Sequence, residues 1–231
     1  MTKPRENDIY SRNALFFSKK EMDTIKKARI AIAGVGGLGC VVAEILARMG
    51  VGFLTLIDNG IVDMPDLGRQ SLYEIEDIGL KKVDAAKDSL LKKTDTCTIK
   101  TAFFDIKADC PKDMLSEVDG VTDCLDNYES RFALEDCIEK NRFLVHGGVE
   151  NDYGQVTTII KGKTQKLSDI YSNMHSSNNR RIIAVSTPSV FVVASLMAYE
   201  VVNNILGKPK LINKMLVVEL ADFSFFKIDL N

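Results

Sequence analysis

A glycine-rich hexapeptide, Gly34-Val35-Gly36-Gly37-Leu38-Gly39, is the feature that most constrains the fold of this chain. It follows the short apolar run Arg29 to Ala33, and apolar residues at helical spacing continue from Gly37 to Met49. A G-x-G-x-x-G pattern between a strand and a helix predicts a tight turn whose backbone can approach a phosphate. The helix N-terminus behind it offers free N–H groups to the same phosphate. The sequence therefore predicts a nucleotide site at the end of the first strand.

Strand-like and helix-like segments alternate along the chain on both sides of this turn. The predicted strands are 29–33, 53–58, 98–104, 120–124 and 143–145, and the predicted helices are 37–49, 80–92, 112–118 and 128–141. This alternation indicates right-handed crossovers and a mostly parallel sheet. We therefore predict an α/β fold with a Rossmann-like, doubly wound sheet that antiparallel C-terminal strands extend.

The pattern changes after residue 148, where a β-branched strand at 155–160 precedes a long polar stretch, 161–188. Basic residues outnumber acidic ones in this stretch, and ordinary loops are shorter, so we expect a mobile, functional crossover loop. A buried helix at 189–206 and a hairpin of strands 215–220 and 224–228 follow. We predict an N-terminal arm and helix over 1–28 and a single ATP-binding domain over 29–231.

Composition bears on whether the chain binds nucleic acid or membranes and on the compartment in which it works. The 30 basic and 32 acidic side chains give a formal charge of -2, so no nucleic-acid partner or membrane surface is expected. The apolar runs are shorter than the ~20 residues of a membrane span, and the polar start has no signal core, which predicts a cytoplasmic protein. The five cysteines contain no C-x-x-C pair, which indicates reduced thiols and no zinc site.

Charged residues beyond the second strand favour one class of nucleotide over another. Asp58 ends this strand, where its carboxylate can accept hydrogen bonds from ribose hydroxyls. Arg69 and Lys82 follow, and Asp126 comes directly after a later strand. Two cations and a carboxylate beside a phosphate site suit a triphosphate, whereas a hydride-transfer cofactor has no need of them. We therefore predict ATP as the nucleotide.

These motif blocks resemble those of the ubiquitin-activating-enzyme-like adenylyltransferases, the ThiF/MoeB/HesA group. The resemblance begins at Tyr10-Ser11-Arg12 and runs nearly to the end of the chain. It implies that ATP activates the C-terminal Gly-Gly carboxylate of a small, ubiquitin-like β-grasp sulfur carrier protein, with release of pyrophosphate. It also implies a homodimer that serves a cofactor-biosynthesis pathway such as thiamine or molybdopterin synthesis, and the sequence leaves the carrier and the pathway open.

The resemblance assigns roles to individual residues, of which Arg12, Arg69, Lys82 and Asp126 are the expected catalytic set. Arg69 and Lys82 are expected to hold the β- and γ-phosphates, Asp126 to bind Mg²⁺, and Asp58 to hold the ribose. Arg12 is expected to reach the phosphates of the neighbouring protomer. The other residues expected to bind the nucleotide are Gly34, Gly36, Gly37, Gly39, Asp66, Gln70 and Asn127.

The chain departs from the family at two kinds of position. Many members carry two zinc-binding C-x-x-C pairs, which are missing here, and no cysteine follows Cys137. We therefore expect no metal besides Mg²⁺. The missing cysteine also argues against a thioester or acyl disulfide with the carrier, and the sequence leaves open whether any covalent carrier intermediate forms. Asp66 stands where the family usually has asparagine in an N-x-x-R-Q block, so it adds negative charge beside the triphosphate site.

Three other functions remain open from the sequence. A tRNA-modifying dehydratase of the same superfamily also uses ATP to activate a carboxyl group. A non-catalytic, carrier-binding partner is suggested by Asp66 and by the missing cysteine. A nicotinamide dehydrogenase rests on the glycines alone. In contrast to these three, carrier adenylylation predicts ATP-pyrophosphate exchange that depends on the carrier.

Overall fold

The computed structural model describes residues 9–107, 112–172 and 184–230. Within these residues, one sheet has the strand order β3-β2-β1-β4-β5-β6-β7-β8. The strands are β1 (Arg29–Ala33), β2 (Phe53–Asp58), β3 (Thr98–Phe103), β4 (Gly120–Asp123), β5 (Phe143–Glu150), β6 (Tyr153–Ile160), β7 (Lys214–Glu219) and β8 (Ser224–Asp229). The first five strands of this order run parallel, and β6, β7 and β8 are added antiparallel. The predicted fold class is confirmed.

Helices cover both faces of the sheet and bury an apolar cluster on each. They are α1 (Asn13–Phe16), α2 (Lys19–Lys27), α3 (Gly37–Arg48), α4 (Lys82–Leu91), α5 (Lys112–Leu115), α6 (Tyr128–Cys137), α7 (Leu167–Ile170) and α8 (Thr187–Ile205). Short 3-10 turns lie at Met64–Asp66 and Ile75–Asp77. Helix α2 begins with the capping box that its sequence predicts, Ser18 with Glu21.

The strand register determines where the glycine turn, residues 34–39, lies in the sheet. Ala33, the last residue of β1, pairs with Ile57 of β2 on one side and with Asp123 of β4 on the other. From β1 the connections run outward in opposite directions, to β2 and then β3 on one side and to β4 and β5 on the other. Ligands of open α/β sheets bind in the crevice at such a switch point.

Helix α8 packs directly on the backbone of the β5–β6 hairpin. A Cβ atom at Gly147 would lie 2.1 Å from Sδ of Met197, and one at Gly154 would lie 2.2 Å from Cγ2 of Val193. Both glycines are therefore required by the closeness of this helix to the sheet. The carboxylate of Glu200 in the same helix is buried and accepts hydrogen bonds from the backbone N–H groups of residues 210 and 211.

Among the described helices, α8 is long and apolar enough to cross a bilayer, with a mean hydropathy of 1.3 over an 18-residue window. However, 56% of that window is buried inside the fold. Its contacts with α3, β5 and β6 place it in the core. The core helix of a globular protein can have the same length and apolar composition as a membrane span.

Several predicted boundaries and one thiol state are corrected by the structure. Strand β5 continues through Glu150, where the sequence indicated an end at Val145, because residues 143–150 all pair with β6. Helix α6 ends at Cys137, since the next residue is extended. The predicted 161–188 loop contains α7 and the start of α8, and its residues 173–183 lie outside the described residues.

Cys40, Cys97 and Cys124 are buried free thiols, whereas Cys137 is disulfide-bonded, contrary to the expectation of reduced thiols.

Candidate active site

The glycine turn is fixed to the ends of both neighbouring strands. Gly34 has φ +86°, and a Cβ atom there would lie 2.7 Å from the carbonyl oxygen of Cys124, so only glycine fits. The carboxylate of Asp58 accepts hydrogen bonds from the N–H of Val35 at 2.7 Å and from the N–H of Gly60 at 2.6 Å. Asp58 thus sets the shape of the turn, and its carboxylate lies beside the switch point.

Space is open above the turn. A Cβ atom placed at Gly36 would lie 4.0 Å from Nε2 of Gln70. Apart from the neighbours of Gly36 in the chain, no other described heavy atom would be closer. Gln70 is 3% exposed, and its Oε1 has no hydrogen-bond partner among the described residues. A buried acceptor without a donor, beside an open glycine turn, fits a nucleotide that completes the site.

Four predicted site residues meet in one charged cluster. The carboxylate of Asp66 lies 3.1 Å from Nζ of Lys82 and 3.5 Å from Nη2 of Arg69. It also accepts a hydrogen bond from Nε2 of Gln70 at 2.5 Å. Arg69 is held further by the carbonyl oxygen of Pro65, to which its Nη1 donates at 2.7 Å. Both predicted phosphate-binding cations therefore converge on a single carboxylate.

Lys82 is placed by the backbone contacts of its own segment. Its N–H donates to the carbonyl oxygen of Gly60 at 3.0 Å, and its aliphatic carbons pass close to the same residue. The hydroxyl of Tyr73 donates to the carbonyl oxygen of Val35 at 2.7 Å and lies 3.3 Å from that of Lys82. Burial raises the pKa of Tyr73, which keeps its hydroxyl protonated as a donor.

Tyr73 is a site residue that the sequence analysis did not select. It links the glycine turn to the start of α4, so it positions both the turn and Lys82. The available signal was a tyrosine that follows Gln70 closely and is flanked by apolar Leu72. A buried tyrosine hydroxyl usually finds a polar partner, but the sequence does not identify that partner.

The turn between β4 and α6 carries the predicted metal ligand. Asp126 is exposed, and its Oδ1 accepts a hydrogen bond from Nδ2 of Asn127 at 3.1 Å. The side-chain oxygen of Asn127 caps α6 by accepting from the N–H of Ser130 at 2.9 Å. Arg131, which was not selected as a site residue, donates from Nε to the carbonyl oxygen of Leu125 at 3.0 Å. These contacts hold the turn that presents Asp126.

A buried polar network lies behind this turn. Nδ1 of His146 is 2.7 Å from Oδ2 of Asp123, and its Nε2 is 3.0 Å from the hydroxyl of Tyr171. Burial and the neighbouring Arg131 lower the pKa of His146, so its ring is neutral at pH 7. The network joins β4 and β5 to the residue that follows α7. His146 therefore serves as a hydrogen-bonded structural residue.

Arg12 lies away from this cluster in its own chain. The adjacent residue, Asn13, donates from Nδ2 to the carbonyl oxygen of Arg48, the last residue of α3. The glycine turn lies at the first residue of α3, and a helix of 12 residues is about 18 Å long. The structure thus brings Arg69, Lys82, Asp66 and Gln70 together, and it places the start of α1 towards the opposite end of α3.

In the described part of the chain, no three histidine, cysteine, aspartate or glutamate side chains gather into a group that could hold a metal ion. Mg²⁺ in nucleotide sites is typically bound by one or two carboxylates together with phosphate oxygens. An exposed Asp126 beside the switch point fits that smaller requirement.

A profile of the ThiF family matches residues 10–231. The chain belongs to the ThiF family. The predicted family and enzyme class are therefore confirmed, since named relatives are adenylyltransferases of this type. One such relative, the molybdopterin-synthase adenylyltransferase of Salmonella typhimurium, is 30% identical over 80% of this chain and 76% of its own length. Protein HesA of Trichormus variabilis is 28% identical over 97% and 85% of the two chains.

Other relatives of this ThiF-family chain are longer than it is. A probable molybdopterin-synthase adenylyltransferase of Porphyra purpurea is 29% identical over 89% of the chain, which covers 56% of the algal protein. Among solved structures, E. coli MccB with succinimide superimposes with a TM-score of 0.84 at 26% identity, over 99% of this chain and 72% of MccB. MccB with ATP gives a TM-score of 0.81 at 26% identity, over 98% and 72%.

Proposed function

We propose that this ThiF-family chain uses ATP to adenylylate the C-terminal Gly-Gly carboxylate of a small, ubiquitin-like β-grasp sulfur carrier protein. The observation that carries the proposal is the convergence of Arg69 and Lys82 beside the open glycine turn. Two cations at a strand-turn-helix phosphate site suit a negatively charged triphosphate. The solved structure of E. coli MccB with ATP supports the choice of nucleotide.

The chemistry asks little of this chain beyond positioning and charge neutralisation. A C-terminal carboxylate has a pKa near ~3.5 and is ionised at neutral pH, so no general base is needed. One carboxylate oxygen forms a bond to the α-phosphorus, and the bond from that phosphorus to the bridging oxygen of the β-phosphate breaks. The electron pair leaves with pyrophosphate, whose charge Arg69 and Lys82 neutralise. Mg²⁺, held by Asp126 and the phosphates, would neutralise further charge.

Asp58, the glycines of the turn, Gln70 and Asn127 complete the proposed nucleotide site. One carboxylate oxygen of Asp58 accepts from the N–H of Val35 in the glycine turn and the other from the N–H of Gly60, and carboxylate oxygens have further lone pairs for ribose hydroxyls. Gln70 contributes its unpaired Oε1, which can accept a hydrogen bond from a ligand.

The proposed active form is a homodimer in which Arg12 serves the partner's site. The start of α1 lies towards the opposite end of α3 from the glycine turn of its own chain, and Arg12 is exposed. Leu15 and Phe16, in the same short helix, are each 73% exposed. Large apolar residues left at a surface beside a cation suit a face that a second chain covers. We further propose a cytoplasmic location and no membrane or nucleic-acid partner.

A second candidate substrate comes from the structural relatives. The microcin C7 biosynthetic enzyme MccB, in complex with N-formylated MccA, superimposes on 100% of this chain with a TM-score of 0.81. An MccA-like substrate in place of a sulfur carrier would use the same nucleotide site. The choice between them depends on the surface that receives the substrate.

ATP-pyrophosphate exchange tests the proposal. The chain is incubated with ATP, Mg²⁺ and labelled pyrophosphate, alone and with carrier proteins that end in Gly-Gly, with MccA, or with a carrier lacking its last glycine. Exchange that requires the intact Gly-Gly end supports carrier adenylylation, and exchange that requires MccA supports the second candidate. Tight NAD binding without any response to ATP would contradict both.

A further inference from the structure

Asp66 occupies the position between the two cations that are proposed to bind the triphosphate. Its carboxylate contacts Lys82 at 3.1 Å and Arg69 at 3.5 Å, and the residue is only 8% exposed. Lys82 is also mostly buried, with 15% of its side chain exposed. Charges that are shielded from water interact more strongly than charges at an open surface. The carboxylate is therefore a strong local anion at the proposed phosphate site.

The sum of charges at this cluster decides which ligands it favours. Arg69 and Lys82 contribute two positive charges, and Asp66 cancels one of them. An incoming anion is attracted by the cations and repelled by the carboxylate, and the repulsion grows with the charge of the ligand. Metal-free ATP carries about four negative charges, and its Mg²⁺ complex about two.

We propose that Asp66 is a specificity-determining residue that makes the site select the Mg²⁺ complex of ATP over metal-free ATP. This inference deepens the proposed function and rests on it. AMP lacks the β- and γ-phosphates that face Arg69 and Lys82, so it is insensitive to the charge at residue 66. The penalty that Asp66 imposes therefore rises from AMP to MgATP to metal-free ATP.

The hydrogen-bonding role of Asp66 can be separated from its charge. One oxygen accepts from Nε2 of Gln70 at 2.5 Å, and the other accepts from the N–H of Asp63 at 3.1 Å in the capping box of the turn. Asp66→Asn has the same shape and keeps one oxygen acceptor, but it removes the charge. Asp66→Ser is a second uncharged variant with a smaller side chain.

The 3-10 turn that contains Asp66, Met64–Asp66, also offers a matched control. Asp63 is exposed, and its carboxylate accepts from the N–H of Met64 at 2.8 Å. Asp63→Asn removes an equal charge three residues away, at a position where solvent and salt screen it. A general change in the charge of the turn would therefore appear in both Asp63→Asn and Asp66→Asn, whereas an effect of the cluster is confined to Asp66.

Isothermal titration of wild type, Asp66→Asn and Asp63→Asn tests the inference with three probes: AMP, ATP with excess Mg²⁺, and ATP with a chelator. We expect Asp66→Asn to bind metal-free ATP about tenfold or more tightly than wild type, MgATP by a smaller factor, and AMP unchanged. Asp63→Asn should match wild type with all three. Thermal melting of each variant checks folding, and Asp66→Ser is used if Asp66→Asn does not fold.

Two results would overturn the inference. One is equal or weaker binding of metal-free ATP by the uncharged variants. The other is an equal gain for AMP and both forms of ATP, which would indicate a change of shape in place of a change of charge. If Asp66→Asn shows the predicted order of affinity gains, but no carrier supports pyrophosphate exchange, the role of Asp66 is upheld and the proposed reaction is rejected. A wild type that binds no ATP in either form would reject both.

Discussion

The carboxylate of Asp58 is hydrogen-bonded at 2.7 Å to the backbone N–H of Val35, the residue at the centre of the glycine turn. A side chain at the end of β2 therefore sets the backbone that follows β1. A hydrogen bond to a charged group is worth roughly 1.5 to 3 kcal/mol, and Asp58 makes a second one to the N–H of Gly60.

Asp58→Ala is expected to lower the free energy of unfolding by about 3 kcal/mol and to weaken ATP binding at least tenfold, because two charge-assisted hydrogen bonds are lost and the turn loses its anchor. Denaturant unfolding and nucleotide titration measure the two effects. Asp105→Ala is the control: it removes an exposed carboxylate that lies two residues after β3 and pairs with Lys107, and it should change neither quantity. Unchanged ATP binding by Asp58→Ala would contradict the proposed role.

Lys82→Ala is expected to weaken ATP binding by roughly tenfold to a hundredfold, because it removes a charge-assisted contact worth about 1.5 to 3 kcal/mol. AMP binding should hold steady, since AMP lacks the β- and γ-phosphates. The matched control is Lys81→Ala, because Nζ of Lys81 lies 4.7 Å from the ring centre of Phe103. Equal losses in the two variants, measured by titration, would show that the charge of Lys82 is not directed at phosphate.

Subunit mixing tests the proposed exchange of Arg12 between protomers. Arg12→Ala and Lys82→Ala chains should each be inactive in pyrophosphate exchange. A mixed dimer has one site with both residues intact, so random mixing of equal amounts should restore about a quarter of wild-type activity. A mixture that stays inactive, despite verified subunit exchange, would place Arg12 outside the partner's site.

The pKa of His146 predicts how stability depends on pH. Burial and Arg131 lower it below the unfolded value of 6.5, so the unfolded chain binds a proton that the folded chain does not. The free energy of unfolding should fall as pH drops from 6.5 towards the folded-state pKa, by up to ~1.4 kcal/mol per pH unit from this group. His146→Gln should show a shallower slope in denaturant titrations between pH 5 and 7. Parallel slopes would contradict the lowered pKa.

Three lysines at the start of the predicted crossover loop are expected to help recognise an acidic carrier. Lys161 is half-buried and donates from Nζ to the carbonyl oxygen of Asp136, whereas Lys166 is exposed and lies 3.8 Å from the carboxylate of the same residue. Reversing the charge of Lys161, Lys163 and Lys166 should weaken carrier-dependent exchange and leave ATP binding unchanged. The effect should fade with added salt.

Charge reversal at Lys19, Lys20 and Lys26 of α2 provides a matched control for this experiment, since these lysines are exposed on a different element. Equal exchange rates for wild type and the 161/163/166 variant, at low salt and limiting carrier, would deny these lysines a role in recognition.

Features encoded within a few neighbouring residues were predictable from the sequence. The capping box of Ser18 and the strand-turn-helix around Gly34 are confirmed, because local chemistry determines both. The continuation of β5 beyond Val145 was missed, since Gly147 reads as a loop residue until α8 is known to pack against it. The pairing of Asp66 with Lys82 was also beyond prediction, because it requires the fold to bring separate turns together.

Because α8 packs so closely on the β5–β6 hairpin, few substitutions can be tolerated where the two elements meet. Gly147 and Gly154 face Met197 and Val193 with no room for even a methyl group, so a change at either glycine requires a compensating change in the helix. In a library in which both elements are randomised, surviving glycine replacements should carry smaller residues at 193 or 197. The two segments are therefore expected to be inherited as a linked pair and exchanged together between homologues.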